Sequence, residues 1–238
     1  MRTVSGIDGC SGGWLCLNQD MTTGRVHASI LSHFGEVLCL NPRPEVVAVD
    51  IPIGLPDTGA RQCDLEARRW LGRRMSSVFP APVRPTLVAT SYLHACAIGR
   101  ATDGRALNQQ TYAILPKIRE VDELLRKDLC RQNWIREVHP EVSFWAWNGS
   151  KPMSYPKKKR TGEPALGKAE RETLVVPRYG NCYGVAQSVL PPNAYAYDDL
   201  LDAFAALWSA ERILTGKAVV IPQKPDLDSC GLRMEITA

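Results

Sequence analysis

A short run of β-branched residues inside the sequence PEVVAVDIPIGLP most constrains the fold of this chain. Residues 46–49 are continuously apolar, which is typical of a strand that is covered on both faces. The run ends on an acid, Asp50, and the prolines and the glycine of the next six residues break the strand. We therefore predict a buried strand that ends in a carboxylate.

The N-terminal residues predict a second strand of the same kind. Residues 3–8 form an apolar stretch that ends in Asp8, and residues 14–17 form its hairpin partner across a glycine-rich turn. The alternation in VHASIL predicts a third strand over residues 26–31. Three consecutive strands with short connections indicate an antiparallel meander. Two apolar strands of the chain therefore each end in an aspartate.

Two segments after the apolar run carry helical patterns. Residues 63–74 and 108–128 have helical composition and spacing, the second with a kink near Pro116. Between them, the prolines of SSVFPAPVRP exclude both a regular helix and a central strand. We therefore expect a helical, proline-rich insertion over about 57–130 within a single domain that spans residues 1–238.

The clearest helical pattern of the chain is YDDLLDAFAALWSAERILTG. Asp198 or Asp199 provides a cap and favourable charge at its start, and Gly216 ends it. Asp202 shares a helix face with both acids, by spacings of four and three residues. The helix is so apolar that much of it must be buried, where a carboxylate is costly without a cation or a donor. We therefore expect such a partner beside Asp202.

The segment WIREVHPEVSFW places polar residues among apolar ones. Glu137 is the third acid of the chain that apolar residues flank in this way. His139 is a candidate for orienting water or protonating a leaving group, with a hydrogen-bonded core residue as the alternative. Trp145 and Trp147 occupy alternate positions, which predicts that they share one face of a strand.

Positive charge is concentrated in one segment. The chain has a net charge of +4, but residues 151–180 alone hold eight bases and three acids, a balance of +5. Residues 150–192 are polar, basic and rich in glycine and proline, so we expect a basic loop region there, part of it mobile. Such a segment suits a polyanionic partner, and a solvated loop is the alternative.

The order of these elements resembles the ribonuclease H-like fold. That fold is α/β, with a mixed sheet of an antiparallel three-strand meander plus parallel strands, flanked by helices and here carrying inserted loops and helices. The motifs GIDGCSGGW, VDIPIGLP, RQCDLEAR, SSVFPAP, EVHPEVSFW and DDLLDAFAA, in this order, resemble a prokaryotic predicted-nuclease family, domain of unknown function family 429. The last of them is also similar to the final helix of Holliday-junction resolvases.

The resemblance implies a two-metal carboxylate site that binds Mg²⁺ or Mn²⁺. It makes Asp8 the central bridge, Asp50 the second-strand ligand, and Asp199 and Asp202 the helix ligands, with ions roughly 4 Å apart. Because resolvases usually carry a glutamate as the second acid, Glu137 is the alternative to Asp50, with Glu141 as a further acid of longer reach. Residues expected to bind substrate phosphates are Arg61, Arg68, Arg73, Lys157, Lys158 and Lys159. A salt bridge between Asp64 and Arg68 is the alternative within that set.

These features predict a metal-dependent phosphodiester hydrolase, a nuclease, with nucleic acid as its partner. A phosphotransferase or ATPase related to the actin, hexokinase and acetate kinase superfamily is one alternative, because an Asp-Gly pair and further glycines follow the first strand. A non-catalytic nucleic-acid-binding module is the other. The chain has neither a run of 18 apolar residues nor a signal-peptide pattern, so we expect a cytoplasmic protein with no membrane span. Its eight scattered cysteines are expected to be reduced, and the oligomeric state stays open, with a homodimer among the alternatives.

Overall fold

A five-stranded mixed sheet forms the centre of the protein in a computed structural model, which describes residues 2–157 and 165–238. The strand order is β3–β2–β1–β4–β5. The strands are β1 (Thr3–Cys10), β2 (Gly13–Asp20), β3 (Val26–Leu31), β4 (Val46–Val49) and β5 (Ile135–Glu137). The first three pair antiparallel, and β4 and β5 continue the sheet parallel to β1. This arrangement confirms the predicted fold class.

Helices flank this sheet. They are α1 (Gln62–Leu71), α2 (Tyr92–Asp103), α3 (Gln109–Arg126), α4 (Pro140–Trp147), α5 (Leu166–Tyr179), α6 (Asn181–Val189) and α7 (Tyr197–Leu214). Short 3-10 turns lie at Phe34–Cys39, Gly72–Ser77, Arg84–Val88 and Leu129–Asn133. Within the described residues, no helix has the length and apolar character needed to cross a membrane. All eight cysteines are free thiols.

The sheet separates two hydrophobic cores, and the alternation of β4 shows how. Val46 and Ala48 pack in the core that contains α7, whereas Val47 and Val49 pack in the core that contains α3. Since successive side chains of a strand point to opposite faces, a strand with a core on each side must be apolar at every position. The continuous apolar run in the sequence therefore reflects two-sided burial.

Helix α7 lies unusually close to β1, and Gly6 makes this possible. A Cβ atom at Gly6 would lie 2.5 Å from Leu207 Cα and closer still to Leu207 N and Ala203 O. Real Cβ atoms essentially never approach other atoms within 3.0 Å. The absent side chain thus lets the helix backbone rest directly on the strand.

The segment expected to be a basic loop region contains two helices, α5 and α6. Its basic residues do not prevent this, because Val175 and Tyr179 give α5 a buried face and Arg171 is neutralised by Glu141 inside the protein. The most basic part of the segment, where mobility was expected, includes residues 158–164, which lie outside the described residues.

Two further elements differ from the sequence prediction. Trp145 and Trp147 belong to helix α4, which begins at Pro140, so they do not share a strand face. Strands β6 (Val220–Leu227) and β7 (Arg233–Thr237) form a separate antiparallel hairpin, which the prolines within β6 concealed in the sequence. This hairpin shares a small core with α1, which includes Ile221 and Ile236.

Candidate active site

Asp8 and Asp50 lie side by side because β1 and β4 are parallel neighbours. Ile7 pairs with Val49 in the register, and the amide of Asp50 donates a hydrogen bond to the carbonyl of Ile7 at 3.0 Å. Asp8 is only 7% exposed and Asp50 is half-buried. The two carboxylates therefore lie where the pairing of β1 with β4 ends, although β1 itself continues to Cys10 and so is two residues longer than predicted.

Asp202 reaches the same site from α7. It lies one residue before Ala203, whose backbone rests on Gly6, and it is buried with 5% exposure. Its Oδ2 accepts a hydrogen bond from the ammonium of Lys157, whereas its Oδ1 is buried without a hydrogen-bond partner among the described residues. The cation expected beside Asp202 is present, but one carboxylate oxygen remains unsatisfied.

The three carboxylates repel one another. Burial, followed by the charges of Asp50, Asp202 and Asp199, raises the pKa of Asp8 well above its usual range. Burial and then the charge of Asp202 raise the pKa of Asp50 to about 8. Burial also raises the pKa of Asp202 to about 6, against the opposing effect of Lys157. Because each carboxylate disfavours ionisation of the others, the cluster favours an added positive charge.

Asp199 serves the start of α7. Its Oδ2 accepts a hydrogen bond from the amide of Ala196 at 2.7 Å, so the predicted cap is provided by a side chain three residues inside the helix. Burial raises the pKa of Asp199, and Ala196 and Lys157 act against this increase. Asp199 therefore contributes charge to the site while its carboxylate holds the backbone.

A cavity of about 480 Å³ lies beside the carboxylates. The side chains that line it include acids, bases and apolar groups, among them Asp8, Asp50, Arg74, Ser76, Ser77, Phe79, Ile114, Lys117, His139, Glu141 and Lys157. Two acids of the cluster thus face a space large enough for a small organic ligand.

His139 lies in this cavity wall directly before α4. Its Nδ1 is buried without a hydrogen-bond partner among the described residues. Burial is the main reason that the pKa of His139 is lowered, and Lys157 lowers it further, while Glu141 opposes the change. The lowered pKa favours the neutral imidazole.

Glu137, the alternative second-strand ligand, is bound by an arginine. Its two carboxylate oxygens accept hydrogen bonds from the two terminal nitrogens of Arg61, each at 2.7 Å. The amide of Ile53 donates a further hydrogen bond to Glu137 at 2.6 Å. The structure thus favours Asp50 over Glu137 as the second-strand carboxylate, because Glu137 has its oxygens occupied.

Arg61 and Arg68 have structural partners that differ from the expected phosphates. Arg61 is 2% exposed and also donates a hydrogen bond to Asp64, at 2.6 Å between Nη2 and Oδ1. Its positive charge is therefore balanced by two carboxylates inside the protein. Arg68 donates to the carbonyl of Val78 at 2.7 Å and does not pair with Asp64. These contacts correct the expectation that both arginines face a substrate.

The remaining predicted phosphate ligands lie in different surroundings. Arg73 is exposed and donates to Ser154 Oγ at 3.3 Å, away from the cavity lining. Lys157 does line the cavity, where it contacts Asp202. Lys158 and Lys159 lie outside the described residues. The structure therefore brings Lys157 to the carboxylates.

The predicted two-metal cage is not assembled in this arrangement. Across residues 2–157 and 165–238, no three His, Cys, Asp or Glu side chains are placed so that together they could hold a metal ion. The chemistry of the donors nevertheless fits Mg²⁺ or Mn²⁺, because these ions prefer carboxylate oxygens. The unsatisfied Oδ1 of Asp202 and the repulsion between Asp8 and Asp50 are the features that a divalent cation would relieve.

Sequence reasoning missed several residues of the cavity wall. Arg74, Phe79 and Lys117 come from the segment between β4 and β5, and nothing in their local pattern places them beside Asp8. The one available signal was the motif SSVFPAP, which matched the family resemblance without an assigned role. Its first four residues include three that line the cavity.

Comparison with known proteins places the chain in a family. No curated protein shows significant similarity to it. Among solved structures, the chain is similar to RuvC of T. thermophilus in complex with Holliday junction substrate, with 14% identity, a TM-score of 0.33, and coverage of 91% of this chain and 98% of that chain. A family match extends over residues 6–227, and the chain therefore belongs to the family described as "Protein of unknown function (DUF429)".

Proposed function

We propose that the protein is a metal-dependent phosphodiester hydrolase that cleaves nucleic acid. The observation that carries this proposal is the convergence of Asp8, Asp50 and Asp202, from three separate elements, beside a cavity that basic side chains also line. Buried carboxylates that raise one another's pKa are destabilising, so their convergence indicates a functional site.

Asp8, Asp50 and Asp202 would hold Mg²⁺ or Mn²⁺ through their carboxylate oxygens. A divalent ion held there supplies positive charge that stabilises the negative charge developing on a phosphodiester during hydrolysis. Lys157, already next to Asp202, binds a non-bridging oxygen of the same phosphate. The site thus combines acids that bind a cation with a base that binds an anion.

His139 is the candidate proton acceptor. We assign it this role because its ring lines the cavity and its lowered pKa favours the neutral form, which is the form that accepts a proton from the attacking water. Protonation places positive charge next to Glu141, which favours the imidazolium. The residues of the cavity thereby activate water and neutralise the phosphate.

The hairpin after β1 does not favour the phosphotransferase alternative. Its turn is covered by residues that precede α7, because the amide of Gly12 donates to the carbonyl of Ala194 at 2.7 Å and Ser11 Oγ donates to that of Asn193 at 3.3 Å. A phosphate-binding turn needs backbone amides that are free to bind an anion. The amide of Gly12 is not free.

Cleavage assays test the proposal directly. The full-length protein is incubated with fluorescent single-stranded, duplex and branched oligonucleotides in Mg²⁺, Mn²⁺ or EDTA. We expect cleavage that needs the metal and falls at least about 100-fold in Asp8→Asn and Asp202→Asn, since each removes a charged ligand. Asp226→Asn is the matched control, because Asp226 is an exposed acid that does not line the cavity. Cleavage by Asp8→Asn and Asp202→Asn at the rate of the Asp226→Asn control, or cleavage in EDTA, would refute the proposal.

A further inference from the structure

We infer that the cavity is a binding site for one unpaired nucleotide, with Arg74 at its phosphate and Phe79 stacked on its base. This inference rests on the proposed function and names the substrate class, which is single-stranded nucleic acid or an unpaired end. The cavity volume of about 480 Å³ suits a base, a sugar and a phosphate. A double helix is too wide to enter it.

Arg74 is a cation that forms no ion pair with a carboxylate in the part of the chain that the structure describes. It belongs to the 3-10 turn Gly72–Ser77 and lines the cavity, where its Nε is buried and has no hydrogen-bond partner among the described residues. The neighbouring arginines Arg61 and Arg84 are each paired with two carboxylates. Within the described residues Arg74 forms no such ion pair, so its planar guanidinium is available for two-pronged binding of a phosphate.

Two lysines add to this charge. Lys157 and Lys117 line the same cavity, and Lys117 also lies over the ring of Trp14, with its Nζ 4.7 Å from the ring centroid. The lysines place positive charge directly beside the acids, since Lys157 contacts Asp202 and Lys117 lies next to Gly9. A phosphodiester suits this mixture of charges, because its negative oxygens can contact the bases and a cation held by the acids.

Phe79 gives the cavity an exposed apolar surface close in sequence to Arg74. Its side chain is 47% exposed although it is large and apolar, and it lines the cavity together with Ile114, which is 37% exposed. Exposed aromatic side chains beside a basic groove are the typical platforms on which unpaired bases stack. Such stacking requires an unstacked base, which a duplex does not offer.

The backbone on each side of Phe79 is fixed. Before it, the carbonyl of Val78 accepts a hydrogen bond from Arg68 at 2.7 Å. After it, the amide of Ala81 donates to Asp64 Oδ2 at 3.2 Å, and Pro80 restricts the chain between them. The ring is thus presented from a rigid segment, which lowers the entropy lost on binding. These bonds also give Arg68 and Asp64 a positioning role.

Binding measurements test the inference. Fluorescence anisotropy of the full-length protein is recorded in Ca²⁺ with labelled hexathymidylate and with a blunt duplex, and thymidine 5′-monophosphate serves as competitor. We expect the single strand to bind at least about 10-fold more tightly than the duplex, and the mononucleotide to compete. Equal affinity for duplex and single strand, or no competition by the mononucleotide, would overturn the inference.

Variants identify the two contacts. We expect Phe79→Ala and Arg74→Gln each to weaken hexathymidylate binding about 10-fold, and Phe79→Trp to restore it, because the loss of one stacked base or one phosphate contact has this size. The matched controls are Leu93→Ala, another exposed apolar residue, and Arg69→Gln, an exposed arginine of α1, and neither residue lines the cavity. Unchanged affinity in Phe79→Ala, together with a changed sedimentation coefficient, would assign Phe79 to a protein contact and overturn the inference.

The outcomes for this site and for the hydrolase are separable. Cleavage that depends on Asp8 but binding that ignores Phe79 and Arg74 would leave the hydrolase and remove the nucleotide site. Binding that depends on Phe79, without cleavage in Mg²⁺ or Mn²⁺, would support the nucleotide site and remove the hydrolase.

Discussion

The close approach of α7 to β1 predicts that Gly6→Ala disrupts both the fold and the site. The added methyl would lie 2.5 Å from Leu207 Cα and closer to two backbone atoms, Leu207 N and Ala203 O. A flexible side chain could move away from a new methyl on its own, but the backbone of a buried helix can do so only if the whole helix moves. The helix must therefore shift away from the strand, and Asp202, which it carries, must shift away from Asp8.

The size of the effect follows from the kind of contact. Overpacking a core typically reduces the free energy of unfolding by about 1–3 kcal/mol, and a clash with backbone lies at the upper end of that range. With a urea dependence of about 3 kcal/mol per molar, a loss of about 3 kcal/mol lowers the unfolding midpoint by about 1 M. We expect the affinity for Mn²⁺ to fall at least about 10-fold as well, because the ligands separate.

Urea unfolding followed by circular dichroism measures the first effect, and isothermal titration calorimetry with Mn²⁺ measures the second. Gly184→Ala is the matched control, since it adds the same methyl in α6, where among the described residues no atom outside the neighbouring turns of the helix lies within 4 Å of it. There the alanine should stabilise the protein by about 0.5–1 kcal/mol through helix propensity. If Gly6→Ala unfolds at the wild-type urea concentration, the inferred close contact between α7 and β1 is wrong.

Three further predictions concern the charges around the site. Because the pKa of Asp50 is raised to about 8, the folded chain keeps on this residue a proton that the unfolded chain releases near pH 4. Without divalent ions, the unfolding temperature should therefore fall as the pH rises from about 4 to about 8. Thermal scans in EDTA check this decline, and Asp50→Asn should make it shallower; an unchanged pH profile would contradict the raised pKa. Arg61→Met leaves Glu137 buried without its partner and should lower the free energy of unfolding by about 3–5 kcal/mol in urea titrations, and a loss below about 1 kcal/mol would show that the ion pair is unimportant. Asp199→Asn keeps a side-chain oxygen that accepts the hydrogen bond from the Ala196 amide at the start of α7. Titration with Mn²⁺ should therefore give nearly the wild-type affinity for Asp199→Asn and a much lower affinity for Asp202→Asn. Equal losses of affinity in the two variants would make Asp199 a metal ligand.

The sheet could be predicted from the sequence because its signals are local. Two-sided burial makes β4 apolar at every position, and the β1–β2–β3 meander has short connections. The hairpin of β6 and β7 could not be predicted from the sequence, because prolines such as those in β6 are normally evidence against a strand. Helix α4 was mistaken for a strand because Trp145 and Trp147 alternate, although the helix begins at a proline, as helices often do.

The candidate site was predictable in part for the same reason. Asp50 directly follows β4, Asp8 directly follows the part of β1 that pairs with β4, and Asp202 stands out in an apolar helix, so local sequence locates all three although β1 continues to Cys10. The bond between Arg61 and Glu137 joins residues 76 positions apart, and a single sequence contains no signal for that distance. The same limit hid Arg74, which reaches the cavity only through the folding of the whole segment between β4 and β5.

The two walls of the cavity have separate origins in the chain, and this bears on how the family can diversify. The carboxylates come from the sheet and α7, whereas Arg74 and Phe79 come from the segment that connects β4 to β5. Within that connection, α3 packs in the core on the opposite face of the sheet from α7, and Val78 packs with α1 in a third core, so its sequence can change without disturbing the contact at Gly6. Natural variants could therefore acquire new substrates by altering this connection alone while inheriting the same reaction chemistry.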